Sequence, residues 1–302
     1  MTGSNSELRS QGPYQIQLLQ PTDLRPELPL LVYLPGMDGT GELLHTQISD
    51  LSQRFDVRCL QISDQNRSDW QTLADGVVHL IQQELTQRQD TQVYLCGESF
   101  GGCLALQVTA TAPELLHHLI LVNSASAFKY RAWLQWGSRI TQWLPHLLYP
   151  VSTMGLLPFL ASLGRMTPGE RRALINAMKS VSQETSVWRI DMLKDFDVTE
   201  DQLQQIEIPT LIVAGTADWL LPSVAEAERL AEHLQNAHIT LLRDSGHACL
   251  LEADVDLNQI LEEHVLGDSV SEANAAQDAI PQELSRIQPN ITYEHQPSTK
   301  FT

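Results

Sequence analysis

Continuous apolar runs alternating with helical patterns constrain the fold of this chain more than any other feature. The stretches "YQIQLL", "PLLVYLP", "FDVRCLQI", "QVYLC", "LLHHLILVNSA", "PTLIVAG" and "AHITLL" read as strands. Between them, "WQTLADGVVHLIQQEL" sets Leu73, Val77, Leu80 and Ile81 at helical spacing. Phe100 to Ala112 reads as a second helix and "PSVAEAERLAEHL" as a third. Strands rich in Val, Ile and Leu, without polar alternation, are buried on both faces. The pattern therefore predicts an α/β fold, a mostly parallel sheet with helices on both sides.

The alternation breaks between about Ser126 and Leu203, where strand-like runs are absent. This stretch holds Trp133, Trp136, Trp143 and Trp188, and Trp133, Trp136, Ile140, Trp143 and Leu147 share one helical face. It reads as a helical cap inserted into a domain spanning residues 1–267. The stripe packs the cap onto the sheet, and part of it, with Trp219, is expected to line an apolar substrate pocket. Residues 268–302 are polar and read as a flexible tail.

Charge narrows the function classes. The formal charge is −18, with no cluster of Lys and Arg, which excludes nucleic acid as a partner. It also disfavours electrostatic docking on anionic lipid, leaving transient apolar contact with a membrane surface open. The N-terminal "MTGSNSELRSQG" has no apolar core of a signal peptide, and "MGLLPFLASLG" is too short and Pro-broken to span a bilayer. Cys59, Cys96, Cys103 and Cys249 show no CxxC spacing and are expected as free thiols. These features predict a cytoplasmic protein.

The chemistry centres on "GESFGG", residues 97 to 102, between a strand and a helix. Glycines at 97 and 101 permit a tight strand-to-helix turn, because a Cβ at either place would strike neighbouring backbone. Such a turn lifts the Ser99 hydroxyl clear of the sheet. A hydroxyl nucleophile needs a base and the base needs an orienting acid, in the order Ser, Asp, His for this architecture. Asp218 follows "TLIVAG" and His247 follows "HITLL", both at strand ends where open α/β sheets place their sites. Asp244 is the rival acid, and strand position favours Asp218. A serine at position 99 excludes aspartate-nucleophile chemistry and leaves acyl transfer.

The loop "LPGMDGTG" carries Gly36, Gly39 and Gly41 without a following Lys-Ser/Thr or a G-x-G-x-x-G spacing, so nucleotide binding is disfavoured. It reads instead as half of an oxyanion hole, with the Met37 N–H joining that of Phe100 and Asp38 bracing the loop. No HxH or HExxH pattern occurs, and neither a metal nor another cofactor is expected.

With these motifs the chain resembles the α/β-hydrolase superfamily over residues 14 to 265. "LPGMDGTG", "VRCLQI", "GESFGGCLAL", "LILVNSASAF" and "LLPSVAEAERL" resemble more narrowly the hydrolase half of the plant plastid esterase/lipase/thioesterase family that includes the phytyl ester synthases. The resemblance implies an α/β-hydrolase fold and acyl-lipid substrates: galactolipids, acyl thioesters or phytyl esters. The family's acyltransferase half has no counterpart after the hydrolase region. An H-x4-D pattern at His45 and Asp50 lies inside the hydrolase region and reads as coincidence. The resemblance thus implies a free-standing serine hydrolase, with transfer to an alcohol as the alternative.

Overall fold

The computed structural model describes residues 15–89, 91–130, 162–266 and 291–293. Seven strands appear where the apolar runs place them: β1 (Ile16–Leu19), β2 (Leu30–Leu34), β3 (Asp56–Ile62), β4 (Val93–Glu98), β5 (His118–Val122), β6 (Thr210–Gly215) and β7 (Ala237–Leu242). With β8 (Ile291–Tyr293) they form one sheet in the order β1-β3-β2-β4-β5-β6-β7-β8. β1 runs antiparallel to β3 and every other pairing is parallel. This is the α/β-hydrolase architecture.

Alternation along each strand builds two cores at once. Leu30, Val32 and Leu34 face one side, packing with Leu73, Val77 and Ile81 of helix α2 (Trp70–Leu85), with Leu104 of α3 (Phe100–Thr111) and with Leu230 of α7 (Ser223–His233). Leu31 and Tyr33 face the other side, with Leu51 of α1 (Ile48–Leu51) and Ile260 of α8 (Leu257–Leu261). Hence neither face needs polar residues, which is why the strands read as unbroken apolar runs. Cys59, Cys96, Cys103 and Cys249 are free and buried within these layers.

The chain leaves the sheet after β5 and returns at β6. The described part of that excursion holds α4 (Pro168–Ser180), α5 (Gln183–Asp195) and α6 (Glu200–Gln204). Each helix opens on its own hydroxyl cap: Thr167 accepts from the Glu170 N–H, Ser182 from Thr185 and Thr199 from Gln202. A cap of this kind is worth about 1 kcal/mol, and the three set the helix boundaries locally. Trp133, Trp136, Ile140, Trp143 and Leu147 lie outside the described residues.

Within the stretch expected as a flexible tail, Ile291–Tyr293 instead extend the sheet, with Ile291 opposite Ile239 and Tyr293 opposite Leu241. An Ile-Thr-Tyr triplet favours extended backbone, and the outer edge of β7 offers unpaired backbone groups to it. Among the described residues no helix is long and apolar enough to cross a membrane.

Candidate active site

Ser99 sits between β4 and α3 with φ 54° and ψ −113°, in the left-handed half of conformational space that a serine ordinarily avoids. The surrounding backbone holds it there. Its N–H donates to the Val122 carbonyl at 3.0 Å, and its own carbonyl accepts from Gly102 at 2.9 Å and Ala125 at 3.0 Å. The two glycines are required by close approach. A Cβ on Gly97 would lie 2.3 Å from the Gly101 carbonyl oxygen, and one on Gly101 would lie 2.0 Å from that of Leu34. The collision anticipated from the motif is therefore with backbone, which cannot rotate out of the way.

His247, in the loop after β7, places Nε2 2.8 Å from Ser99 Oγ and Nδ1 2.7 Å from Asp218 Oδ2. Asp218 lies in the loop after β6. Its Oδ1 accepts from the Leu220 and Leu221 N–H groups at 2.9 Å each, and the Ser223 hydroxyl donates to Oδ2. Asp218 thus forms a turn and orients a histidine with the same carboxylate. Asp244 is exposed, 3.6 Å from the Arg243 guanidinium, and does not face the imidazole. Ser99, His247 and Asp218 make one buried hydrogen-bonded line at the C-terminal edge of the parallel strands. His45 and Asp50 are both exposed, on the segment between β2 and β3.

Electrostatics prepare this line for proton movement. Burial disfavours the Asp218 carboxylate, but the charge and hydrogen bond of His247, the Ser223 hydroxyl and the Leu221 N–H hold it below the usual carboxylate range. Burial would also lower the His247 pKa. The charge and hydrogen bond of Asp218, with the charge of Glu98, outweigh that and raise it. An imidazole so placed takes a proton from a hydroxyl more readily than a free one does.

Several site residues escaped the sequence reading. Asn123, at the end of β5 with φ 42°, donates from Nδ2 to the carbonyls of His247 at 2.7 Å and Gly246 at 3.1 Å. Its Oδ1 accepts from the Gly215 N–H at 2.8 Å, so one buried amide ties β5, β6 and the His247 loop together. Glu252 accepts from the Gly246 N–H at 2.8 Å and meets Arg165 Nε at 2.7 Å, anchoring the same loop to the excursion. Glu98 is buried beside Ser99 and accepts from the Tyr33 hydroxyl. Burial pushes its carboxyl up to about 7, against the lowering effects of that hydrogen bond and of His247. The available signal was a polar residue ending an apolar run, in "YLCGE" and "LILVN".

The loop after β2 crosses the serine: a Cβ on Gly36 would lie 3.7 Å from Ser99 Cβ. Asp38 accepts from the Thr40 N–H at 2.9 Å and from its hydroxyl at 2.5 Å, bracing the loop. Phe100 is the first residue of α3, so its N–H has no acceptor within the helix. The Phe100 ring packs on Trp70 at 4.7 Å between centroids, and Trp70 meets Phe196 at 5.1 Å. Trp219, next to Asp218, is 73% exposed. Among the described residues no group of three or more His, Cys, Asp or Glu side chains is placed to hold a metal ion.

Comparison with known proteins agrees with this architecture. Residues 62–254 match the family model described as serine aminopeptidase, S33. Phytyl ester synthase 1, chloroplastic, of Arabidopsis thaliana is 30% identical over 259 residues, which cover 78% of this chain and 37% of the synthase. The chain therefore spans little more than a third of that relative. The putative carbamate hydrolase RutD of Stutzerimonas stutzeri (strain A1501) is 27% identical over 257 residues, covering 80% of this chain and 93% of its own. An esterase of Exiguobacterium antarcticum shares the fold with a TM-score of 0.64 at 18% identity, covering 85% of this chain and 94% of that one. The chain belongs to the serine aminopeptidase S33 family and is an α/β hydrolase of the esterase/lipase type, resembling the hydrolase domain of the phytyl ester synthases.

Proposed function

We propose that the protein cleaves acyl esters or thioesters with long apolar acyl chains through an acyl-enzyme on Ser99. The single observation that carries this reading is the hydrogen-bonded line from Ser99 through His247 to Asp218, at 2.8 and 2.7 Å. Ser99 Oγ attacks the acyl carbonyl carbon as His247 Nε2 takes its proton, while Asp218 orients the imidazole and stabilises its cation. The N–H groups of Met37 and Phe100 receive the developing oxyanion. The C–O or C–S bond then breaks, and His247 returns the proton to the leaving group. Water, deprotonated by the same imidazole, attacks the acyl-enzyme and frees the acid and Ser99.

Support for an apolar acyl chain comes from Trp219, which stands exposed next to Asp218, and from the likeness to the phytyl ester synthases. The relative named as a phytyl ester synthase favours a second reading in which an alcohol replaces water as acceptor. The acyl-enzyme is common to both. The test is a p-nitrophenyl ester series from acetate to palmitate, with aminoacyl p-nitroanilides alongside and phytol added in a parallel set. Rates rising with chain length are expected. A preference for aminoacyl anilides would replace the lipid reading with a peptidase, and phytyl ester outpacing free acid would select the transferase.

The pH profile provides an independent check. Only neutral imidazole can accept the serine proton, so kcat/KM should fall as pH drops through the His247 pKa. Because the net shift is upward, the acid limb should lie above the ordinary imidazole value of about 6.5. Glu98, pushed up to about 7, is charged only in part across this limb. Glu98→Gln should therefore move it to lower pH by a small amount, with Asp218 keeping the larger share of the shift. A wild-type midpoint below about 6 would contradict the net upward shift of His247.

A further inference from the structure

The loop that crosses Ser99 is held from outside the sheet. Arg189, on α5, is 1% exposed; its Nη1 donates to the Met37 carbonyl at 2.6 Å and its Nη2 to the Ile62 carbonyl at 3.3 Å. The guanidinium fills the space over Gly39, where a Cβ would lie 2.6 Å from both of its terminal nitrogens. Helix α5 itself is seated on the end of the sheet. Asp64, just after β3, accepts at Oδ1 from the Ser182 N–H at 3.1 Å, and its carbonyl accepts from the Thr185 hydroxyl at 2.5 Å. A buried charge that reaches two backbone carbonyls across the site has a cost in desolvation, so its placement asks for a reason.

The loop geometry supplies one. The Gly36 carbonyl accepts from the Gly39 N–H at 3.1 Å, closing a turn over residues 36–39. In a trans peptide the carbonyl and the N–H point in opposite directions. Holding the Gly36 carbonyl inside the turn therefore turns the Met37 N–H outward. Holding the Met37 carbonyl on Arg189 then fixes the peptide on its other side. The Met37 N–H cannot turn over without breaking the bond between Gly36 and Gly39, and Arg189, by holding the following peptide, keeps the turn in which that bond forms.

We propose that Arg189 is a positioning residue for the Met37 N–H, and that through it acyl transfer at Ser99 depends on α5 being docked on the sheet. This rests on the reading of Ser99 as nucleophile and Met37 as oxyanion donor. Arg189 touches neither substrate nor reacting atoms. Its effect falls on the tetrahedral stage, where the oxyanion forms, and not on ground-state binding.

The test compares the full chain as wild type, Arg189→Met and Arg189→Lys on p-nitrophenyl butyrate. Competent serines are counted by fluorophosphonate titration, and folding is followed by thermal melting. A misplaced oxyanion donor is expected to lower kcat per titrated site in Arg189→Met by about 10- to 100-fold with KM within about twofold. Binding of a matching trifluoromethyl ketone, which forms an oxyanion on the enzyme, should weaken by a similar factor. Arg189→Lys, which reaches one carbonyl but not both, should fall between. Wild-type kcat in a folded Arg189→Met, or a rise in KM equal to the loss in kcat, overturns the proposal. If Arg189→Met does not fold, Arg189→Lys decides: a several-fold fall in kcat at constant KM supports it, and wild-type kcat overturns it. A wild type that fluorophosphonate does not label at Ser99 removes the underlying reading and the proposal together. Labelling with unaltered kcat in the variants removes the proposal alone.

Discussion

Ser99→Ala is expected to lower ester hydrolysis by at least about 10⁴-fold while leaving the thermal melt close to that of wild type. The side chain removed is one hydroxyl whose hydrogen bond goes to His247 Nε2, so little packing is lost. Without the nucleophile no acyl-enzyme can form, and the imidazole and oxyanion donors have nothing to act on together. The backbone bonds that hold residue 99 at φ 54° do not involve the hydroxyl. A fluorophosphonate should therefore label the wild type and not the variant. A variant that kept more than about a tenth of the wild-type rate would falsify the assignment of Ser99, since removing a triad nucleophile elsewhere costs several orders of magnitude.

Gly101→Ala should be strongly damaging, for its added Cβ makes a closer backbone contact than one on Gly36, Gly39, Gly41, Gly97, Gly102 or Gly215. The new Cβ would lie 2.0 Å from the Leu34 carbonyl oxygen, 2.5 Å from the Leu34 carbonyl carbon and 2.7 Å from the Pro35 carbonyl oxygen. All three are backbone atoms of the strand and loop that carry Met37, so relief requires α3 and β2 to move apart. Overpacking of this kind costs about 3 kcal/mol or more, and a domain of this size loses roughly 2–4 °C of Tm per kcal/mol. A fall of about 6–12 °C is expected. Activity should drop further than stability alone accounts for. The same shift separates the Met37 and Phe100 N–H groups, and a displacement near 1 Å can cost about 100-fold in rate. Gly164→Ala, where an added Cβ meets nothing within 4 Å, is the matched control and should melt like wild type. Equal melting temperatures for the two variants would show that the elbow is not under the steric constraint described.

The contrast between these two glycines marks how far local sequence carries. In G-x-S-x-G the Gly97 restriction is local, against the Gly101 carbonyl four residues on, and is readable from the motif, whereas that at Gly101 comes from Leu34 and Pro35 at the end of another strand. The strand runs were equally legible: every residue of the central strands β2, β4 and β6 is buried on one face or the other, so composition and burial coincide there. The helix starts at Thr167, Ser182 and Thr199 likewise depend only on residues three positions apart.

Pairings across long stretches of chain were not readable in that way. The sequence by itself determined the α/β class, the strand order of Ser99, Asp218 and His247, and the position of each at the end of a strand. Only the tertiary structure decided between Asp218 and Asp244, because which carboxylate meets His247 depends on how the loops after β6 and β7 fold against each other. It also supplied Asn123, which binds a histidine loop 124 residues further on, and Arg189, which reaches a carbonyl 152 residues earlier. A buried amide or guanidinium is chosen for the carbonyls around it. Backbone carbonyls are the same at every residue, so no side chain in the sequence announces where such a partner will be.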